Sequence, residues 1–392
     1  MAAGSGADWR RLEAALRSSL WRLRDRWGPR GSPAASPRGR PAEEAPPEEE
    51  EQPSALEALP IDVKLYIMSF LTSKDLSYLG STNHYWRHTV RDPLLWRYLL
   101  IRDLPSWHSV DWKSLPDADI FNRSFTELDD SAPCDYMEVY KKCCSYSGHN
   151  SCPKSGWSNN DAKVYFLEWL KLRSVPRFAM FGPGLEDLDE SLVYKMMTSP
   201  EILPLAGLPS RQIHGIGSGV TFHVNGYQRI NILTLYSKTR CCARRKYRLC
   251  LSSSKERHRA REENPSPVNK MFCEEMGPDG TMRYNLIEHV KHMCGLIDGF
   301  IYVADAEAHK KHNRAVECAR MATMLDPALG PKDRPLLILS CISHAGMERI
   351  PCVYMAHQLQ LNLLNQPWMI QDAEAATLDG LLNGIEWLLG EI

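Results

Sequence analysis

Several features that would fix a function class are missing from this 392-residue sequence. Its apolar runs are too short to span a bilayer, and its small, polar first residues predict no signal peptide. Its 12 cysteines form no C-x-x-C pair, and its net charge is only −1. We therefore expect a chain in the cytoplasm, with the nucleus as a second location, and no overall field that would attract a nucleic acid or a membrane.

Patterns that would indicate catalysis or a metal are weak as well. Cys143, Cys144, His149 and Cys152 lie close in the sequence, but adjacent cysteines rarely converge on one zinc ion. The basic stretch 244–261 contains a single aromatic residue, which favours a solvated loop over a nucleic-acid site. No Ser/His/Asp or Cys/His set stands in a nucleophile context. We predict a non-enzymatic protein without metal or cofactor.

Residues 1–28 contain a candidate amphipathic helix. Apolar side chains recur every three or four residues, and arginines occupy the remaining faces. This pattern fits a partner or self-association helix, a membrane-surface helix, or a mitochondrial targeting helix. Three acidic residues argue against targeting. We favour self-association through the apolar stripe, which consists of Trp9, Leu12, Leu16, Leu20 and Leu23. Residues 29–55, rich in Pro and Glu, predict a disordered linker.

Residues 56–103 predict three short helices with little core of their own. Pro60 suits the first turn of a helix, and Ser73 suits the N-cap of the next one. Apolar residues recur at helical spacing up to Leu71. Because a bundle of this size buries little apolar surface, we expect it to bind a partner.

Three motifs in this segment resemble the F-box family: Leu59-Pro60-Ile61-Asp62, Asp75-Leu76 and Asp92-Pro93-Leu94-Leu95-Trp96. The resemblance implies docking on the Skp adaptor of a cullin–RING ubiquitin ligase, with this chain as a substrate receptor. Seven residues are expected to contact the adaptor or to support the contact: Leu59, Pro60, Ile67, Leu71, Leu76, Leu79 and Trp96.

The remaining sequence predicts a helical linker at 104–175 and an α/β domain at 176–392. Short apolar segments alternate with helical ones, as expected of a mostly parallel sheet that carries one antiparallel hairpin. The predicted strands are Arg177–Phe181, Val220–Val224, Ile230–Tyr236, Phe300–Ala304, Leu336–Leu339 and Trp368–Gln371, and the predicted last helix is Leu378–Leu389. The predicted fold class is thus multidomain, with an all-α module and linker followed by an α/β domain.

This order of elements resembles the small-GTPase fold, above all its ADP-ribosylation-factor branch. Segment 298–305 looks like the fourth strand of that family. A phosphate-binding loop needs the pattern G-x-x-x-x-G-K-[ST]. Counting from Gly182, however, the second glycine, the lysine and the hydroxyl residue are replaced by Asp187, Leu188 and Asp189. Carboxylates at these positions would repel phosphates, so we predict a nucleotide-free, GTPase-like binding platform.

The combination of an F-box, a helical bridge and such a platform resembles one group of F-box proteins. The resemblance implies degradation of a D-type cyclin and a telomere-repeat-binding factor, and self-association through the N-terminal segment. It also makes Cys241–Ser254 look like an insertion. Two alternatives remain open: a divergent GTPase-like switch, and a non-degradative scaffold that docks on the same adaptor.

We expect the substrate to bind at a sheet edge, since an edge strand offers unpaired backbone groups to a partner strand. The strand predicted at that edge comprises Val220, Thr221, Phe222, His223 and Val224.

Overall fold

The computed structural model describes residues 56–117, 120, 135–147, 175–207, 217–225, 228–237, 269–277 and 282–392. The segments 1–28 and 29–55 and the stretch Cys241–Ser254 lie outside these residues. Contacts divide the chain into two compact units, residues 1–103 with 117–141, and residues 104–116 with 142–392. Within the described ranges, no helix is both long enough and apolar enough to cross a membrane.

The first unit is built from short helices. Pro60 precedes the first helix, and its carbonyl accepts the backbone N–H of Lys64. The second helix is capped by Thr72 and not by Ser73 as predicted, because Thr72 and Asp75 exchange hydrogen bonds in a capping box. The helices are α1 (Ile61–Met68), α2 (Ser73–Thr82), α3 (His84–Thr89), α4 (Pro93–Asp103) and α5 (Tyr136–Ser147), which continues into the second unit.

Apolar side chains from these helices form the core of the first unit. Leu76, Leu99 and Leu100 are fully buried. The indole N–H of Trp96 is also buried and donates to the carbonyl oxygen of Val90 at 2.6 Å. Because its polar group has a partner, this large ring can be buried without an unsatisfied donor.

The second unit contains an eight-stranded sheet with the order β1-β10-β9-β8-β2-β5-β4-β3. Its five central strands, from β10 to β5, are parallel, and the outer three pairings are antiparallel. The strands are β1 (Ser109–Asp111), β2 (Arg177–Phe181), β3 (Leu205–Gly207), β4 (Gly217–Val224), β5 (Gln228–Leu235), β8 (Gly299–Asp305), β9 (Leu336–Ile342) and β10 (Trp368–Glu374); β6 (Phe272–Met276) and β7 (Met282–Leu286) form a separate ribbon.

The predicted α/β class with a mostly parallel sheet is confirmed. Every residue of β8 and β9 is buried, as continuous apolar strands in the middle of a sheet should be. Within the described residues of the predicted helical linker 104–175, one segment is a strand and not a helix. Residues Ser109–Asp111 pair with β10 as an edge strand, and the backbone N–H of Trp112 continues the pairing to Trp368 at 3.0 Å.

Helices cover the sheet and complete the second unit. They are α6 (Gly184–Asp187), α7 (Leu192–Thr198), α8 (Glu288–Cys294), α9 (Arg314–Met324), α10 (Cys352–Gln358) and α11 (Leu381–Gly390). The last helix starts three residues later than predicted, because Leu378 and Gly380 have φ values of 64° and 76°. A left-handed backbone of this kind cannot belong to a right-handed helix.

Candidate functional sites

The first helix of the first unit is apolar on two sides. Leu65 and Met68 face the core and are buried. The other side carries four exposed residues, which we call the α1 apolar surface: Val63, Tyr66, Ile67 and Phe70. Phe70 is 68% exposed, and its ring meets that of Tyr66 edge-on at 5.0 Å. A surface helix normally exposes polar residues opposite its buried side. A second apolar side therefore indicates contact with another molecule.

Hydrogen bonds fix the turn after α1, which carries Phe70 of the α1 apolar surface. Arg102 donates to the carbonyl oxygens of Ser69 at 2.6 Å and Leu71 at 3.1 Å. Its other nitrogens donate to both carboxylate oxygens of Asp103, which raises the pKa of Arg102. The hydroxyl of Tyr140 donates to the same carboxylate at 2.7 Å. The turn is thus fixed by a charged, partly buried network.

The structure divides the seven residues predicted for adaptor docking into two groups. Leu76 and Trp96 are 0% and 2% exposed, so they support the helices from inside. The other five reach the surface, where Pro60 and Ile67 are exposed and Leu59, Leu71 and Leu79 are half-buried.

Sequence reasoning missed Val63, Tyr66 and Phe70 as candidate contacts. The signal was present, since apolar residues of α1 recur on a stripe separate from the one that contains Leu65 and Met68. A helix with two apolar stripes is either fully buried or docked on a partner.

In the second unit, the loop after β2 lies where α/β sheets place their ligands, beyond the carboxyl ends of parallel strands. Gly182 has a φ of 129° and lies so close to the backbone of Val303 that a side chain would not fit. The carboxylate of Glu186 accepts hydrogen bonds from the backbone N–H and the hydroxyl of Ser237, just after β5. The loop is therefore held by contacts within the chain.

Next to this loop lies a set of charged residues that we call the buried charge cluster: Asp305, Glu307, Lys310, His312, Arg314 and Glu317. The side chains of Asp305 and Glu307 are completely buried. The ammonium group of Lys310 lies 3.2 Å from Asp305 Oδ2 and 2.7 Å from Glu307 Oε2. It also donates to the carbonyl oxygen of Asp187 at 2.9 Å. A cation of this chain thus bridges two buried carboxylates and the loop after β2.

The rest of the cluster is connected in the same way. Arg314 donates to both carboxylate oxygens of Glu317 at 2.9 Å, and to the carbonyl oxygen of Asp305 at 2.7 Å. The hydroxyl of Tyr302 donates to Glu317 Oε2 at 2.9 Å. Burial and the adjacent carboxylate raise the pKa of Tyr302, which keeps its hydroxyl protonated.

At the two innermost carboxylates, hydrogen bonds and nearby cations lower the pKa by more than burial raises it. Burial alone would raise the pKa of Asp305, but His312, Lys310 and a backbone N–H bring it below its usual value. Burial would also raise the pKa of Glu307. Hydrogen bonds from Lys310 and from the hydroxyl and backbone N–H of Ser343 lower it instead. Both carboxylates are therefore ionised at neutral pH and paired inside the protein.

This arrangement offers little to a phosphate group. The cavity beside the loop has a volume of about 100 Å³, and Glu186, Asp187 and Glu317 contribute to its lining with Arg320. Lys310, which could have approached a phosphate, is engaged by two carboxylates. Within the described ranges, no group of three or more His, Cys, Asp or Glu residues is placed to hold a metal ion.

The predicted substrate strand does not lie at the sheet edge. β3 pairs with β4 along the outer side, through Leu205 opposite Phe222 and Gly207 opposite Thr221, and the N–H of His223 donates to Pro204. The backbone groups that were predicted to pair with a partner strand therefore pair within this chain. Of the five residues, Val220, Phe222 and Val224 are buried in the core, and only Thr221 and His223 are half-buried. The predicted edge position of Val220–Val224 is wrong, whereas substrate binding by these residues stays a prediction.

Comparisons with known proteins cover first the helical segment and then the whole chain. Residues 56–102 match the family model described as F-box-like. The whole chain is 52% identical over 388 residues to F-box only protein 4 of Bos taurus, which covers 98% of this chain and 94% of that protein. The chain belongs to the F-box only protein 4 family. The Homo sapiens relative in this family is 51% identical over 392 residues, again covering 98% and 94% of the two chains.

Two solved structures match the chain with low scores. The Arl6 BBS3 small GTPase from Trypanosoma brucei, with bound nucleotide analogue GppNp, is 13% identical and covers 55% of this chain and 96% of its own, with a TM-score of 0.31. The SsGBP and GDP complex is 9% identical and covers 83% and 87%, with a TM-score of 0.29. At these TM-scores the likeness carries no argument about this F-box only protein 4 family member.

Two buried cysteines of this F-box only protein 4 family member, Cys143 and Cys341, have thiols whose pKa is raised far above neutral pH. Burial raises the pKa of Cys341 to about 12. Burial likewise raises the pKa of Cys143 to about 12, and its thiol donates to the carbonyl oxygen of Ser114 at 2.9 Å. A nucleophile or a metal ligand would have to be a thiolate. His149 and Cys152 lie outside the described residues.

Proposed function

We propose that this chain is the substrate-recognition subunit of an SCF-type ubiquitin ligase. In this role the α1 apolar surface docks on the Skp adaptor, which links the chain to a cullin–RING core, and the second unit binds the substrate. The F-box-like match at residues 56–102 and the family membership support the proposal. The chain contributes no acid, base or nucleophile. It acts by proximity, because holding a target lysine near a charged conjugating enzyme raises its effective concentration.

As substrates we propose a D-type cyclin and a telomere-repeat-binding factor, which would be marked for proteasomal degradation. The support is the membership of the F-box only protein 4 family. Such substrates would connect the chain to the cell cycle and to telomere maintenance, in the cytoplasm and the nucleus. Self-association through the N-terminal stripe that begins at Trp9 belongs to the same proposal.

The observation that carries the proposal is the exposure of Ile67 on a helix whose other side is already buried, together with the exposure of Phe70 in the turn that follows it. The test measures binding of purified Skp adaptor to the full chain and to an Ile67→Ala, Phe70→Ala variant. Burying these two side chains should contribute about 1.5–3 kcal/mol each, so we expect at least a tenfold loss of affinity. Tyr194→Ala, at a 65% exposed aromatic of the second unit, is the matched control. Equal affinity of all three proteins would refute the proposal.

We also propose that the second unit works without bound nucleotide. The support is Asp187, Leu188 and Asp189 at the phosphate-loop positions, together with Lys310 held by its own carboxylates. A labelled guanine nucleotide titrated with magnesium into the full chain should not bind. Saturable binding in the micromolar range would favour the divergent GTPase-like switch instead.

A further inference from the structure

A row of polar side chains crosses three neighbouring strands of the sheet in the second unit. Arg177 of β2 is the register partner of Asn231 in β5, and Asn231 is the partner of Thr221 in β4. Thr221 is in turn opposite Gly207 of β3. Register partners on neighbouring strands point to the same face of a sheet. The guanidinium, amide and hydroxyl groups of this row therefore share one face.

This face is the one opposite the hydrophobic core. Residues that alternate with the row, namely Phe178, Phe222 and Ile232, are buried in the core on the other side. Arg229 lies two residues before Asn231 on the same strand and thus on the same face as the row. A second arginine is in this way placed on the same face as Arg177.

The row forms the floor of a groove of about 380 Å³, which Arg177, Thr221, Arg229 and Asn231 help to line. None of the described residues that line it is acidic. At one end of the groove stands Gly207, and a side-chain carbon added there would meet no atom within 4 Å. The groove is therefore accessible along the described strands.

The two arginines have no carboxylate of their own in this groove. Among the described residues, neither guanidinium group forms an ion pair, whereas the nearby carboxylate of Asp298 accepts the backbone N–H of Arg177 at 2.8 Å. His223 lies opposite Arg229 in the neighbouring strand. Its buried Nδ1 has no hydrogen-bond partner among the described residues. Two guanidinium groups that line one groove without an ion-pair partner attract an anion.

We propose that this groove, which we call the Arg177–Arg229 groove, binds a phosphate group. A phosphate monoester carries close to two negative charges and three terminal oxygens. The two guanidinium groups match its charge, and the hydroxyl of Thr221 and the amide of Asn231 supply further donors. A carboxylate, with one charge and two oxygens, would leave part of this set unused. The site does not depend on adaptor docking, so it goes beyond the proposed function and stands or falls separately from it.

The phosphate could be free or carried by another protein, and the test separates these sources. Phosphorus NMR would follow the full chain titrated with inorganic phosphate, and separately with a blocked glycyl-phosphoseryl-glycine peptide. We expect saturable line broadening of both resonances. In an Arg177→Gln, Arg229→Gln variant the affinity should fall at least tenfold, because both charges that neutralise the phosphate are gone. Arg283→Gln, at an exposed strand arginine outside the groove, should leave it unchanged.

Each outcome either supports or overturns the site. Tighter binding of the phosphopeptide than of inorganic phosphate would identify a protein-borne phosphate, and equal binding would identify phosphate alone as the ligand. A peptide with glutamate in place of phosphoserine, measured by its competition with the phosphopeptide resonance, should bind at least fivefold more weakly, and equal binding would overturn the assignment to phosphate. The same holds if no resonance saturates, or if the double variant binds like the control. Should the double variant prove unfolded by circular dichroism, Thr221→Val, which keeps both charges, should still weaken binding severalfold.

Discussion

At the scale of single residues, the buried charge cluster explains how the second unit tolerates ionised groups beneath its surface. Two carboxylates and an ammonium group removed from water lose hydration free energy, which their mutual attraction must offset. Lys310 contacts Asp305, Glu307 and the carbonyl oxygen of Asp187, so a single side chain offsets two buried charges and also fixes the loop after β2.

Replacing Lys310 by Met should destabilise the second unit strongly. The methionine fills a similar volume but leaves Asp305 and Glu307 buried without their shared cation. Removing one partner of a buried ion pair costs about 3–5 kcal/mol, and we expect about 3 kcal/mol here because Lys310 is itself 20% exposed. Urea unfolding of the full chain would measure the change. Lys332→Met, at an exposed lysine, should stay within about 0.5 kcal/mol of the native chain. Equal stability of both variants would show that the cluster does not hold the unit together.

Acid should weaken the same cluster. The pKa values of Asp305 and Glu307 are lower in the folded protein than their ordinary values. Their contribution to stability is therefore present above the ordinary carboxyl pKa of about 4 and is lost as the pH falls through the lowered values. We expect the free energy of unfolding to fall as the pH drops below about 5. The fall should be smaller in an Asp305→Asn, Glu307→Gln variant; the same pH dependence in both proteins would assign the acid sensitivity to other groups.

At the scale of elements, long and strongly patterned segments were predictable and short ones were not. The central strands β8 and β9 were visible as continuous apolar runs, since burial on both faces leaves no polar alternation. The edge strands Ser109–Asp111 and Leu205–Gly207 span three residues each, too few to show any period. Because Leu205–Gly207 was missed, Val220–Val224 was wrongly placed at the edge of the sheet. The α1 apolar surface was seen only in part, because apolar spacing alone does not tell a core stripe from a docking stripe.

The cap of α2 gives a test at this scale. Thr72 accepts the N–H of Asp75 at 3.2 Å, and its own N–H donates back to the Asp75 carboxylate at 3.3 Å. Thr72→Ala removes the hydrogen bond that the Thr72 side chain accepts. The free energy of unfolding should fall by about 1 kcal/mol. Ser73→Ala, one residue further on, should be close to neutral, because Ser73 is the first helical residue and not the cap. Thermal unfolding of the two variants would rank them. A larger loss for Ser73→Ala would show that the helix starts one residue later.

At the scale of the whole molecule, the chain combines two units with different surfaces. The first unit presents an apolar helix side, which suits a permanent protein contact. The second presents a polar groove on its sheet and holds a buried charge cluster beside the loop after β2. Since each unit has its own core, a change in the surface of one should leave the other folded.

This independence predicts how the full chain behaves in cells. With the proteasome inhibited, affinity capture of the Ile67→Ala, Phe70→Ala variant should recover at least tenfold less adaptor and cullin than the native chain. Substrate capture should persist or increase, because the second unit still binds while ubiquitin transfer is lost. Quantitative mass spectrometry would compare both baits with Tyr194→Ala. If the variant lost substrate together with cullin, the two functions would not be separable. If the captured partners had the same lifetime in cells with and without the native chain, the chain would be a scaffold that docks on the adaptor without directing degradation.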